Sequence, residues 1–266
     1  MDEKREFISL LFDGYKKRKL ENRLYSQNDN VPKIIIQQYI ELIEKPSFKD
    51  LITSYKINYI FHESRVEQNI RKEELYGLGE VYDYIQNFDF DKNKFNIFVT
   101  SLILHQRLYS HCEIGFGGNL RETNAVLFDL DIDITPPEEA KKIFNNYIIQ
   151  KDNIFEKYNQ GDIFGYIEDC IKLNVELIKL QPFADGNKRT FRALTNLLLK
   201  RVNIPPIYIE LNERDEYKKA LVKAMKNNDY NDIIQFYYYK ICDSIITLDI
   251  KNSQIHENDN DLKKQK

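Results

Sequence analysis

Apolar positions along this chain recur mostly at three- and four-residue intervals, the spacing of helices that bury one face. In the segment Ile163–Leu180 the residues Ile167, Ile171, Val175 and Ile178 step by four, four and three. Leu194, Leu197, Leu198 and Val202 mark a further stripe and predict a helix beginning near Lys188. The same reading predicts helices over Glu73–Ile85, Asn96–Tyr109, Asp215–Lys226 and Asn231–Thr247. Another runs from Glu138 onward, opened by Pro136-Pro137, because proline is tolerated in a first turn. Nearer the start, Ile35, Tyr39, Leu42 and Ile43 mark a short amphipathic helix. The polar stretch Ser26–Asn30 separates it from the first helix, and Pro46 stops it. His62–Asn69 also favours helix, with Asn69 as terminator. One stretch breaks the rhythm. In Ile114–Leu130, Gly115, Gly117 and Gly118 allow tight turns and Ala125-Val126-Leu127-Phe128 is β-prone, which predicts a small hairpin. The expectation is an all-α domain with one β-hairpin over residues 61–247, a helical extension over 1–60 and a disordered polar tail over 248–266.

Composition narrows the function classes. The chain is 42% apolar and 30% charged, the balance of a globular protein. Its 39 basic and 42 acidic side chains are intermixed, so no basic stretch argues for nucleic acid or a membrane as partner. Cys112, Cys170 and Cys242 lie far apart with no CxxC pair, and His111 beside Cys112 does not make a metal site. They read as free thiols in a reducing compartment. The charged N-terminus lacks a signal-peptide core, and no apolar run is long enough to cross a bilayer, so the expectation is a cytoplasmic protein.

Candidate chemistry concentrates in Gln181–Arg192, QPFADGNKRTFR. Here a buried helix ends, and a glycine-containing turn leads straight into the start of another. The N–H groups of Gly186, Asn187 and Lys188, backed by the helix dipole, would attract an anion, and phosphate is the common one. Arg189 and Arg192 are three apart on one face and can grip phosphate oxygens through forked donors. Asp185 stands where a carboxylate commonly serves Mg²⁺, an ion that takes one or two protein oxygens and keeps several waters. The plainer alternative is a capped helix with an Asp-Gly turn and two solvated arginines.

The full string resembles the Fic motif of the Fic/Doc (Fido) family, His-Pro-Phe-x-Asp/Glu-Gly-Asn-Gly/Lys-Arg-x-x-Arg. Pro182, Phe183, Asp185, Gly186, Asn187, Arg189 and Arg192 match at the right spacing, and Lys188 matches the Doc-like variant. Gly118–Val126 resembles the family's flap, with Pro136-Pro137 following it. Asn203-Ile204-Pro205-Pro206 resembles the closure after the motif, and Arg214-Asp215-Glu216-Tyr217 the next helix start. The resemblance spans about Phe61 to Ile245. It implies a Fido helical bundle with a β-hairpin flap, and transfer of AMP from ATP and Mg²⁺ to a protein Ser, Thr or Tyr hydroxyl. It implies nucleotide binding by Gly186, Asn187, Lys188, Arg189 and Arg192, and metal binding by Asp185. A protein target would dock on the flap at Leu120, Arg121, Thr123 and Asn124 as an added strand.

Two departures carry information. Gln181 stands where the family has its general-base histidine, and an amide has no usable proton affinity near neutral pH. His62, His105, His111 and His256 are the possible substitutes, and each reads as a surface or capping residue. Upstream, Glu63–Asn69 resembles the family's autoinhibitory helix, with Glu63 in place of the hydroxyl residue and Gln68 in place of the usual glycine. Glu67 keeps the glutamate that pairs with the second motif arginine, here Arg192. The readings are therefore an AMP transferase braked by Glu67, a nucleotide-binding pseudoenzyme that docks a partner on the flap, removal of AMP, and a Doc-like phosphotransferase.

Overall fold

The computed structural model describes residues 30–42, 49–67, 70–112, 115, 117–125, 127, 132–148, 153–245 and 247. The first helix expected in the sequence, the Ser26–Asp29 part of its polar break and the tail over 248–266 lie outside them. So do Ile43, Pro46, Gln68 and Asn69.

The described helices are α1 (Val31–Leu42), α2 (Lys49–Val66), α3 (Lys72–Asn87), α4 (Ile97–Leu108) and α5 (Pro137–Asn146), then the short α6 (Glu156–Asn159). They continue as α7 (Ile163–Leu180), α8 (Asn187–Lys200), α9 (Arg214–Asn227) and α10 (231–245). No strand occurs among the described residues, so the architecture is all-helical. Across Ile114–Leu130 the described positions are turns, bends and irregular loop, while Ile114, Phe116, Val126 and 128–130 lie outside the description. None of the described helices is long and apolar enough to cross a membrane.

The centre is α8. It packs on α7, α4 and α3, and all its residues except Lys188 and Lys200 are buried. Its leucine stripe predicts one buried face, but the helix is enclosed all round. That is tolerable because the polar residues on its other faces find partners. Asn174 of α7 donates to the Thr195 hydroxyl at 2.9 Å, and Asn196 makes two 2.9 Å bonds with the backbone of Ile207. The second helix ends differently from its prediction. It runs as α2 through the expected boundary at 60/61 and stops at Val66, which leaves Glu67 in a bend just past its end. Ile35 and Ile36 of α1 belong to the same buried cluster as α7 and α8, while Tyr55 and Tyr59 of α2 form a smaller cluster with Tyr82.

Gly77 sets one close approach that positions the site. A Cβ there would collide with the Leu108 carbonyl, so glycine lets α3 lie against the C-terminal end of α4. That packing puts Glu74 of α3 and Tyr109 beside the start of α8.

Candidate functional site

The loop between α7 and α8 is shaped by two left-handed residues. Gly186 has φ 73°, and a Cβ on it would come within 2.7 Å of the Tyr109 hydroxyl, so only glycine fits. Gln181, which caps α7, has φ 49°, uncommon for a residue with a side chain. Such strain persists only where the surroundings hold it. Here they do. The Gln181 amide donates to the Ile178 carbonyl, and its side-chain oxygen accepts from Asn187 Nδ2 at 3.0 Å. Asn187 also braces the loop through both backbone groups of Phe183, at 2.9 and 2.8 Å. The Arg121 guanidinium donates to the Gln181 carbonyl at 2.5 Å.

The expected cations gather at the start of α8, each already held by a carboxylate. Lys188 Nζ lies 2.7 Å from Glu67 Oε2, and Arg192 Nη1 lies 3.0 Å from Glu67 Oε1. Arg192 is held on its other edge by Glu63, with Nε and Nη2 at 2.9 and 2.7 Å from Oε2. Arg189 pairs with Glu74 and donates to the Tyr109 hydroxyl at 3.0 Å. Arg189 and Arg192 are buried, which removes the alternative of two solvated arginines. Burial alone would raise the Glu67 carboxyl, but Arg192 and Lys188 outweigh it and bring it down to about 2, so it is ionised at neutral pH. The Gly186 N–H turns back to Asp185 Oδ1 at 2.6 Å.

Asp185 is the acidic residue on the open side, its side chain 59% exposed. Among the described residues no three His, Cys, Asp or Glu are grouped to cage a metal ion. One open carboxylate beside a phosphate site suits Mg²⁺, whose remaining ligands are water and phosphate oxygens.

The stretch expected to dock a target divides in two. Thr123 and Asn124 are exposed and Leu120 half-buried. Arg121 is 2% exposed and faces inward. Besides Gln181 it donates to the carbonyls of Thr123, at 2.9 Å, and Thr135, and its own N–H donates to the Pro182 carbonyl at 2.9 Å. Its side chain therefore ties this stretch to the motif loop.

Each of the three histidines among the described residues is engaged in contacts of its own. His62 stacks on Tyr208 at 4.5 Å, and His111 bonds Glu80 at 2.6 Å on the surface. His105 corrects the expectation of a surface or capping residue. It is fully buried, stacked on Phe183 at 3.9 Å, with both ring nitrogens engaged. Nδ1 accepts from the Gly118 N–H at 2.8 Å and Nε2 faces the Asp185 carbonyl at 3.0 Å, which fixes the tautomer with Nε2 protonated. His256 lies outside the described residues. Burial lowers His105 to about 4, against a smaller opposing pull from Asp185. Because its folded value is depressed, the unfolded chain takes up a proton between about pH 6.5 and 4 that the folded chain refuses. Stability is thus expected to fall by roughly 3 kcal/mol as the pH drops through that window. His105→Gln can keep both hydrogen bonds without titrating. Urea unfolding between pH 7 and 4 should show a shallower loss for the variant, and equal losses would remove His105 as the cause.

The sequence does not mark Glu74 and Tyr109 as site residues, and it marks Glu63 and His105 only as a motif departure and a possible substitute base. For Glu63 a signal existed, since four-residue spacing from Glu67 puts both carboxylates on one face of a helix. For Glu74 there was none, because its partner is 115 positions away.

Three comparisons bear on this arrangement. Residues 100–199 match the Fic/DOC family model. The chain is 29% identical over 168 residues to a "Protein adenylyltransferase Fic" from Nematostella vectensis, covering 61% of this chain and 36% of that one. It spans about a third of the length of the relatives it matches. Among solved structures it resembles Fic-1 from C. elegans, with a TM-score of 0.65 at 16% identity over 82% of this chain and 68% of that one. It also resembles an IbpAFic2 variant in complex with adenylylated Cdc42, with a TM-score of 0.52 at 20% identity over 87% and 76%. At these identities the structural likenesses speak to the fold.

Proposed function

On the premise that residues 100–199 of this chain belong to the Fic/DOC family, we propose that the chain binds ATP with Mg²⁺ at the 181–192 loop and that it is an adenylyltransferase-type protein deprived of its general base. The observation that carries this reading is the pairing of a complete cation set at the start of α8 with a pinned amide at position 181. Lys188, Arg189 and Arg192 supply charge for phosphates, and Gly186 and Asn187 shape the turn that receives them. Asp185 would hold Mg²⁺, which would offset phosphate charge. The stretch from Leu120 to Asn124, completed as a hairpin flap, would align a target hydroxyl, with Arg121 as its anchor and Thr123 and Asn124 as its outward edge. That hydroxyl would then lack the proton acceptor that a histidine at position 181 supplies, because Gln181 cannot take the proton.

Titration calorimetry should show ATP·Mg²⁺ binding, and Arg192→Met should weaken it by on the order of 10-fold, the loss of one charge-assisted contact. Absence of binding in both the unaltered protein and Glu67→Gln would sink the nucleotide reading. ATP labelled separately at the α and γ phosphates then tests the chemistry. Neither label reaching protein supports the base-deprived reading. The α label transferring rapidly in the unaltered protein overturns it, and the γ label alone assigns a Doc-like phosphate transfer.

A further inference from the structure

We propose that Glu63, the second carboxylate on Arg192, is not a second brake beside Glu67 but a fixed arm that positions the arginine for phosphate. The inference rests on the nucleotide reading above and concerns the regulation of that site.

The two contacts differ in place and geometry. Glu63 lies inside α2, 1% exposed, and takes two nitrogens of one guanidinium edge. Its surroundings are the buried rings of Tyr59 and Tyr237, and water cannot replace it there without exposing a buried charge. Glu67 sits past the end of α2 in a bend, its side chain 13% exposed, and takes the single remaining nitrogen, Nη1. Its other oxygen bonds Lys188 Nζ at 2.7 Å. One carboxylate thus bridges two cations at the start of α8, which is the place an anion would take. Beside it a small cleft is lined by Glu67, Lys188, Arg214, Tyr217 and Lys218, so other cations lie on the side toward which the carboxylate would swing. If Glu67 swings away, Lys188 Nζ and Arg192 Nη1 become available together while Glu63 keeps the guanidinium aimed.

The alternative is two equivalent brakes, and the variants separate the ideas by sign. Glu67→Gln is expected to tighten ATP·Mg²⁺ binding by roughly 10-fold, since phosphate no longer competes with a charged group. Glu63→Gln is expected to weaken it by a similar factor, because the full Arg192 charge then falls on Glu67 and strengthens that contact. Binding is measured at a temperature where each variant is folded. Equal or greater tightening by Glu63→Gln would overturn the proposal.

A second measurement needs no nucleotide. Double-mutant cycles in urea unfolding, with Arg192→Met as the common partner, should give a larger coupling for positions 63 and 192 than for 67 and 192. Equal couplings, or the reverse order, would also overturn it. Should Glu63→Gln fail to fold, Glu63→Gln with Arg192→Met is expected to fold, since no unpaired buried charge remains. Failure of that double variant as well would remove Arg192 as the reason for Glu63. If no variant binds ATP, the nucleotide reading fails, and the cycles still decide which carboxylate holds Arg192.

Discussion

Glu74→Gln is expected to lower the melting temperature by about 10 °C. Glu74 is 2% exposed and paired with Arg189, itself 6% exposed. Removing one partner of such a pair strands the other charge in the interior and costs roughly 3–5 kcal/mol. A chain of this size loses about 2–4 °C per kcal/mol. The remaining partners of Arg189, the Tyr109 hydroxyl and the Asp185 carboxylate at 3.7 Å, soften the effect without replacing a charge in direct contact. Distance alone does not set the magnitude. Lys56 and Asp83 approach to 2.6 Å, but their side chains are 30% and 55% exposed, so Asp83→Asn should cost under about 1 kcal/mol. Thermal melts of the two variants side by side check the contrast. Indistinguishable melts for Glu74→Gln and the unaltered protein would mean that the pair contributes nothing to folding.

These contacts also show which parts of the architecture can be read from a linear pattern. The helices over 163–180 and 187–200 follow from local rules: apolar spacing, a turn containing Gly186 between them, and Asp162 capping the first. The motif loop was legible for the same reason, since its residues are neighbours in sequence. What was hidden depends on chain segments far apart. The enclosure of α8 on all sides comes from α3, α4 and α7 packing around it, and its own residues announce only the leucine stripe. His105 lies in the last turn of α4 on the stripe of Ile97, Leu104 and Leu108, a spacing that signals burial but not the partners it finds. Its role appears only when Gly118 and Asp185 close on its two nitrogens. Arg121 shows the same kind of difference, buried where the flap resemblance places it on a docking edge. An arginine in a turn-rich, polar stretch reads as solvent-facing, yet backbone carbonyls from Gln181, Thr123 and Thr135 converge to satisfy it inside.

The prediction with the greatest effect on chemistry concerns position 181. Gln181→His, with Glu67→Gln in the same chain to relieve the restraint on Arg192, is expected to raise AMP transfer by about 10²–10⁴-fold, the usual contribution of a general base. The scaffold for an imidazole is in place. The backbone at 181 is already left-handed and held by Arg121, and the side chain already points between the Ile178 carbonyl and Asn187. A ring N–H can replace the amide donor on the Ile178 carbonyl, which would fix the tautomer and leave the other nitrogen as acceptor. Asn187 would lose the Gln181 oxygen but keep its two bonds to Phe183, so the loop should survive the exchange. Self-modification, or labelling of a cell lysate with α-labelled ATP, reads the outcome without the target being known. A double variant that binds ATP and labels nothing would place the defect beyond one side chain. Lys188 is then the next residue to change, because with Glu67 neutralised its ammonium is released into the anion site, where it can draw the phosphate chain toward itself and away from the restored base.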